Sequence, residues 1–261
     1  MTPAPSDPST PSNEAWSRQE LDQNPHRSSE KAGKVRAMFA SISGSYDLNN
    51  RLHSFGRDQA WRRRAVELAG VGPNDRVLDM ACGTGDLTEA FAAAGASRVV
   101  GGDFTPEMLD QARRKAERLP AERRPTYEHA DAMQLDYEDA SFDVISIAFG
   151  IRNVSDPAAA IREFARVLRP GGRLVILEFA EPSFAPIRWA NQLYTGRIMP
   201  WTASLVARDG SGAYRYLPRS IETFLSPRQL AERIEDAGLR VKRQVSMTFG
   251  VCVATQAVRE V

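Results

Sequence analysis

The chain is 261 residues long, 42% hydrophobic and 26% charged, with a formal net charge of +1 at neutral pH, and lacks the basic balance that phosphate neutralisation on nucleic acid demands. Two cysteines without CxxC or histidine-rich spacing give no zinc site and no disulfide framework, so no metal is expected and a reducing, cytoplasmic setting fits best. No apolar run approaches the roughly 20 residues that span a bilayer, and the N-terminus lacks the apolar block of a secretory signal.

Residues 1–30 are rich in Pro, Ser, Asn, Gln and charge, and read as a flexible tail that cannot repay its ordering entropy. Residues 31–261 read as a single domain. From Lys31, the segment KAGKVRAMFASIS places Val35, Met38, Phe39 and Ile42 at helical spacing, leading into SYDLNNRLHSFG. A second helix, about Gln59 to Leu68, leads to the Gly72-Pro73 break. Beyond it, strand and helix alternate. Val77-Leu78-Asp79-Met80 is a buried-strand candidate, followed by a glycine loop and the helix DLTEAFAAAG, closing at Gly95. Strand two is RVVGGD, and Thr105-Pro106 opens a helix with Thr as N-cap and Pro in the first turn. A short strand TYEHA ends at Asp131. FDVISIAFG is the fourth strand, Asp156-Pro157 opens the next helix, Arg169-Pro170-Gly171-Gly172 turns the chain, and RLVILEF is the fifth. After a long irregular stretch and a helix near SPRQLAERIEDAG, RVKRQVSMT and GVCVATQAV form an antiparallel hairpin around Phe249-Gly250. The expected fold is α/β: a doubly wound, Rossmann-like, seven-stranded and mostly parallel sheet with an antiparallel C-terminal hairpin.

The loop DMACGTGDLT raises the question of which nucleotide lies against it. A dinucleotide fingerprint needs a third glycine where this chain has Thr88, and Asp86 at the helix start would repel a pyrophosphate placed there. A ligand with an ammonium group and no phosphate suits the loop better, which points to S-adenosylmethionine. Backbone amides from Gly83 to Gly85 suit its carboxylate, and loop oxygens such as that of Thr84 suit its ammonium. Asp103, about 20 residues on at the end of strand two, is placed to accept both ribose hydroxyls. Asp131, followed by Ala132, is a candidate acceptor for the adenine amino group, with a plain solvated cap as the competing reading.

At these residues the chain resembles the ubiquinone/menaquinone biosynthesis C-methyltransferase family, within the class I adenosylmethionine-dependent methyltransferases. VLDMACGTGDLT, VVGGDFTPEML, FDVISIAFGIRNV, ARVLRPGGRLVILEF and GAYRYLPRSI carry the similarity, which runs from about Val35 to the C-terminus. YDLNN, FGIRNV and YRYLPRS are its specific pieces. The resemblance implies methyl transfer to a ring carbon of a polyprenylated quinol, either demethylmenaquinol or a methoxy-benzoquinol. Its cofactor-side set falls here on Asp79, Gly83, Thr84, Gly85, Asp103, Phe104, Asp131, Ala132 and Ala148. The chain departs from the family at Asp58, where His is usual, and at Ala180 and Ala148, where Ser is usual; the last departure leaves that cofactor contact to backbone or to Ser146. Other readings stay open: a methyltransferase for another small aromatic or lipid acceptor, or a cofactor-binding subunit without catalysis.

Carbon methylation of a quinol wants a donor or cation at the phenol oxygen and a modest base near the ring carbon. Arg152, directly after strand four, is the candidate for the phenol oxygen, against an ion pair with an acid such as Asp156. Asn153 is a candidate for orienting substrate. Tyr46 and Asp47 are candidates for closing the site and accepting a proton, against a plain hydrogen-bonded loop. His53 is weighed as a base against a packing role, His129 reads as structural, and Cys82 as a small loop residue. Residues 182–216 read as an apolar lid admitting a prenyl tail, against a packed insertion or homodimer contact, with Tyr214, Arg215 and Arg219 lining the acceptor pocket. The expected partners are a lipophilic quinol, the inner membrane face as a peripheral contact and a second copy of the chain, with no nucleic acid.

Overall fold

The computed structural model describes residues 15–199 and 212–261. Strands β1 Arg76–Met80, β2 Arg98–Asp103, β3 Thr126–His129, β4 Phe142–Ala148, β5 Leu168–Phe179, β6 Leu239–Met247 and β7 Cys252–Arg259 form one sheet. Their order is β3-β2-β1-β4-β5-β7-β6. The first five run parallel, and β7 inserts antiparallel between β5 and β6. Strand order reverses between β1 and β4, which opens a crevice at their carboxyl ends. Both faces of the sheet are covered: Leu78, Met80, Ile145 and Ile147 face one core with Phe164, while Val77, Val144 and Val175 face the other with Phe91 and Trp61. That two-sided burial is why these strands read as continuous apolar runs.

The helices are α1 Arg18–Asp22, α2 Lys31–Ile42, α3 Tyr46–His53, α4 Arg57–Ala69, α5 Asp86–Ala93, α6 Pro106–Ala116, α7 Pro157–Val167, α8 Ala185–Leu193, α9 Ala213–Glu222 and α10 Pro227–Asp236. Asp156 caps α7 by accepting from the Ala158 and Ala159 amides, and Ser226 with Gln229 forms a capping box on α10. Thr105 makes no side-chain cap on α6, contrary to expectation. Its amide donates instead to Asp103 at 2.8 Å, so the strand-end acid, not the threonine hydroxyl, fixes the turn. The chain also stays strand-like from Leu168 through the expected turn at 169–172.

Residues 15–30 correct the expectation of a tail that runs to residue 30. Ser17 and Glu20 close a capping box on α1, and Trp16 is fully buried, stacked on Tyr216 with ring centroids 5.0 Å apart. Arg219 donates to the Leu21 and Asp22 carbonyls, and His26 donates through Nε2 to the Ser220 carbonyl. One large aromatic ring supplies the burial that composition averaging hides. Residues 1–14 lie outside the described residues. Trp16→Ala is expected to cost about 3–5 kcal/mol of unfolding free energy, the usual loss for a buried indole. Denaturant titration checks this, and an unchanged midpoint would show the segment to be independent of the core.

Candidate active site

The glycine loop is closely packed at two glycines. Gly85 has φ +87°, and a Cβ there would lie 2.4 Å from the Tyr127 hydroxyl. A Cβ on Gly150 would lie 2.4 Å from that of Ala81, so the ends of β1 and β4 meet where only glycine fits. Ala81 and Phe149 themselves hold φ of +50° and +58°, strain of the kind that concentrates at functional sites. Asp103 ties the loop to β2: one carboxylate oxygen accepts from the Gly83 amide at 2.8 Å and the other from Thr105. Burial raises its pKa against those two donors.

A first cavity, with about 820 Å³ of empty volume, opens over this loop and is lined by Gly83, Asp103, Phe104, Asp131, Ala132 and Ala148. Each Asp103 oxygen keeps a second lone pair beyond its backbone donor, which suits a vicinal diol. Phe104 tilts against His129 at 5.3 Å, and Asp131 spends one oxygen on the Met133 amide. Apolar walls from Met80, Ala81 and Met133 complete a chamber that fits an adenosyl group.

Three of the expected cofactor residues do not line it. Asp79 is 1% exposed and accepts the hydroxyls of Thr88 and Ser146, each at 2.6 Å. It supports the loop from beneath, and burial pushes its pKa up to about 6. Ser146 is thereby engaged as well, leaving Ala148 as the β4 residue at the cavity. The Thr84 hydroxyl donates to Asp47, and Gly85 is packed on Tyr127. Cys82 is a loop residue whose thiol burial pushes well up, which removes it as a nucleophile.

A second cavity, with about 1110 Å³ of empty volume, shares Phe39, Tyr46 and Phe149 with the first, so these rings stand between the two chambers. Its remaining wall is largely apolar, with His53, Asp58, Arg62 and Arg152 as ionisable points and Asn50, Ser54, Asn191 and Thr195 as neutral polar ones. Arg152 is 5% exposed. Its Nη1 donates to the Phe149 carbonyl at 2.6 Å and to Glu178 at 2.7 Å. The ion-pair partner is thus Glu178, not Asp156, which caps α7. Burial raises the Glu178 pKa, and Arg152 opposes that rise. Asn153 donates to the Phe149 carbonyl and accepts from the Tyr216 hydroxyl at 3.0 Å. His53 donates through Nδ1 to the Asn49 carbonyl at 2.8 Å.

YDLNNRLH is helical, with Ser45 as its N-cap, which corrects the loop alternative. Tyr46 opens α3 at the junction of the cavities, its phenol pKa raised by burial. Asp47 does not line either cavity, contrary to a catalytic role: it accepts from Thr84 and pairs with Lys115 at 2.8 Å. Lys115 also pairs with Asp86, which Arg51 and Gln59 reach as well, so α3 is tied to the glycine loop through α5 and α6. Arg219 is spent on residues 21, 22 and 222 and lies outside both cavities, as does Arg215. Their neighbour Tyr216 lines the second cavity instead. The side chain of Tyr214, with Trp201, Leu205, Val206 and Arg208 of the expected lid, lies outside the described residues.

Lys31, Lys115 and Glu178 escape a reading of the sequence. Lys31 is 1% exposed and donates to the carbonyls of Arg152 and Val154 at 2.8 and 2.6 Å, holding the segment after β4. Burial, then the Arg152 charge, brings its pKa down to about 8. The one available signal was Glu178, a lone acid at the end of an apolar strand.

The sequence profile of the ubiE/COQ5 methyltransferase family matches residues 27–259. Over 215 residues the chain is 46% identical to a demethylmenaquinone methyltransferase of Thermus thermophilus, covering 82% of this chain and 96% of that one. Over 224 residues it is 39% identical to the ubiquinone/menaquinone biosynthesis C-methyltransferase UbiE of Cronobacter sakazakii, covering 85% and 89%. Among solved structures it resembles the cyclase SpnF, with TM-score 0.66, 17% identity and coverage of 88% and 96%. A SAM-dependent methyltransferase from Thermotoga maritima gives TM-score 0.60 and 17% identity, covering 87% and 100%. These structural likenesses establish the fold, and a cyclase among them shows that the fold alone does not fix the reaction.

Proposed function

This chain belongs to the ubiE/COQ5 methyltransferase family, and from that premise we propose that it transfers a methyl group from S-adenosyl-L-methionine to a ring carbon of a polyprenylated quinol. The acceptor is demethylmenaquinol or 2-polyprenyl-6-methoxy-1,4-benzoquinol, in menaquinone or ubiquinone biosynthesis. The observation that supports this reading is the pair of chambers meeting at Tyr46 and Phe149, one with the buried Asp103 carboxylate on its wall and the other large and mostly apolar.

The bound cofactor supplies an electrophilic methyl on a sulfonium. This chain's residues supply placement. Asp103 would hold the ribose hydroxyls of the bound cofactor, and Gly83, Phe104, Asp131, Ala132 and Ala148 line that chamber. Arg152, aimed by Glu178 and the Phe149 carbonyl, offers a fixed cation to the quinol oxygen, which favours the phenolate and so raises the nucleophilicity of the adjacent carbon. Tyr46 and Phe149 bound the acceptor, Asn153 lies on the first chamber's wall and holds the Tyr216 hydroxyl of the second, and the apolar walls exclude water that would solvate the phenolate. No described helix is long and apolar enough to cross a membrane. We place the enzyme in the cytoplasm, working at the inner membrane face on a lipid-borne acceptor.

The test is an assay with labelled S-adenosylmethionine and each of the two quinols, reading labelled product by mass spectrometry. Transfer to either is expected. Cofactor binding with no transfer to either quinol overturns the reading.

A further inference from the structure

Around the second cavity lies a set of large apolar side chains that face solvent. Phe55 is 79% exposed, Trp189 67% and Phe249 80%, with Leu52, Phe184 and Leu193 also exposed. They come from three separate segments that meet at the cavity. Phe55 follows the cavity residues His53 and Ser54, and its ring lies 5.7 Å from that of Tyr194, another cavity residue. The Tyr194 hydroxyl donates to the His53 carbonyl, joining α3 to the end of α8. Trp189 and Leu193, one turn apart on α8, flank Asn191, which lines the cavity. At the β6–β7 tip, Gly250 packs against Pro182, two residues before Phe184, so the turn that carries Phe249 lies at the start of the α8 segment.

Helix α8 buries no residue at all, although Ile187, Trp189 and Leu193 are apolar. A helix of this composition with no core to cover is unfinished as a soluble surface. Its charge points to the missing partner: from Ser183 to Met199 the chain carries Arg188 and Arg197 and no acid. Exposed aromatics beside arginines, with Glu181 at the edge of the set held by Gln192 of α8, match the boundary between anionic headgroups and acyl chains.

We propose that this rim, formed by Phe55, Trp189, Leu193, Phe184 and Phe249 with Arg188 and Arg197, is a docking surface for an anionic lipid bilayer. Seated there, the second cavity opens toward the acyl region, and a prenyl tail passes into it without crossing water. The inference rests on the reading of the acceptor as a lipid-borne quinol, and names the face that collects it.

Sedimentation with vesicles of phosphatidylethanolamine and phosphatidylglycerol, without quinol or cofactor, tests docking by itself. The wild-type chain is expected to pellet with these vesicles, and less with phosphatidylcholine alone. The double variant Phe55→Asn, Trp189→Ser should lose about tenfold or more of that partition, since two interfacial aromatic anchors are removed. Asparagine is chosen because Phe55 has φ +53°, a conformation that residue tolerates. The same variant should methylate a short-tailed, water-soluble quinol at the wild-type rate, and a vesicle-borne quinol more slowly. The proposal is overturned if wild-type protein stays in the supernatant, if the variant partitions unchanged, or if the variant abolishes self-association of a chain that ignores vesicles. Absence of methyl transfer to the soluble quinol by the wild-type chain strikes instead at the reading of the reaction, because vesicle binding is scored separately.

Discussion

Asp103→Ala is expected to raise the dissociation constant for S-adenosylmethionine by about two orders of magnitude. A hydrogen bond to a charged acceptor is worth about 1.5–3 kcal/mol, and about 2.7 kcal/mol corresponds to a hundredfold in affinity. In the proposed reading two ribose hydroxyls share this carboxylate, so a loss of that size is a lower estimate. The same substitution leaves the Gly83 and Thr105 amides without their acceptor, which loosens the loop itself. Asp103→Asn separates the two effects: one oxygen remains for a backbone amide, but the charge and half the acceptor capacity are gone. Calorimetric titration of both variants checks the result. Wild-type affinity in the alanine variant would place the nucleoside elsewhere.

The second large effect falls on turnover and stability together. Arg152→Met is expected to lower kcat by about a hundredfold or more, as loss of a fixed donor at a developing oxyanion does. It should also cost about 3–5 kcal/mol of unfolding free energy, because Glu178 is left buried without its guanidinium and is driven to take up a proton. A purely structural arginine would produce both losses too. The double variant Arg152→Met, Glu178→Gln distinguishes them: removing both charges should return most of the stability and none of the rate. Denaturant unfolding and initial rates at saturating cofactor give the two readouts. Recovery of rate along with stability would reduce Arg152 to a packing role.

The sheet is legible in the sequence because each buried parallel strand announces itself as an apolar run followed by a helical period, and because Asp103 and Asp131 fall at strand ends. Gly83 follows from the glycine loop and Ala132 from its place after Asp131, whereas Phe104 and Ala148 are implied by the family resemblance. What escapes is direction and distant pairing. Asp79 lies in the right loop, yet the strand's alternation turns it under the loop toward Thr88 and Ser146. Asp47 is one residue from Tyr46, but the helical turn aims it at Lys115 while Tyr46 faces the cavities. Glu178 meets Arg152 across 26 positions, and Lys31 meets the Arg152 carbonyl across 121, separations over which no local pattern carries information. Trp16 is lost among prolines and serines because composition averages away a single ring.

The clasp between residues 16–26 and α9 also sets a timetable for the nascent chain. Arg219 meets Leu21 across 198 positions, and His26 meets Ser220 across 194. A ribosome moving at about 5–20 residues per second therefore exposes Trp16 for roughly ten seconds or longer before Tyr216 exists to stack on it. The strands β1 to β4 and their helices have all emerged by then, so the cofactor half of the molecule is able to assemble first. The acceptor wall, which includes Tyr216 and Leu217, closes only when the opening residues of the chain find a helix made near its end.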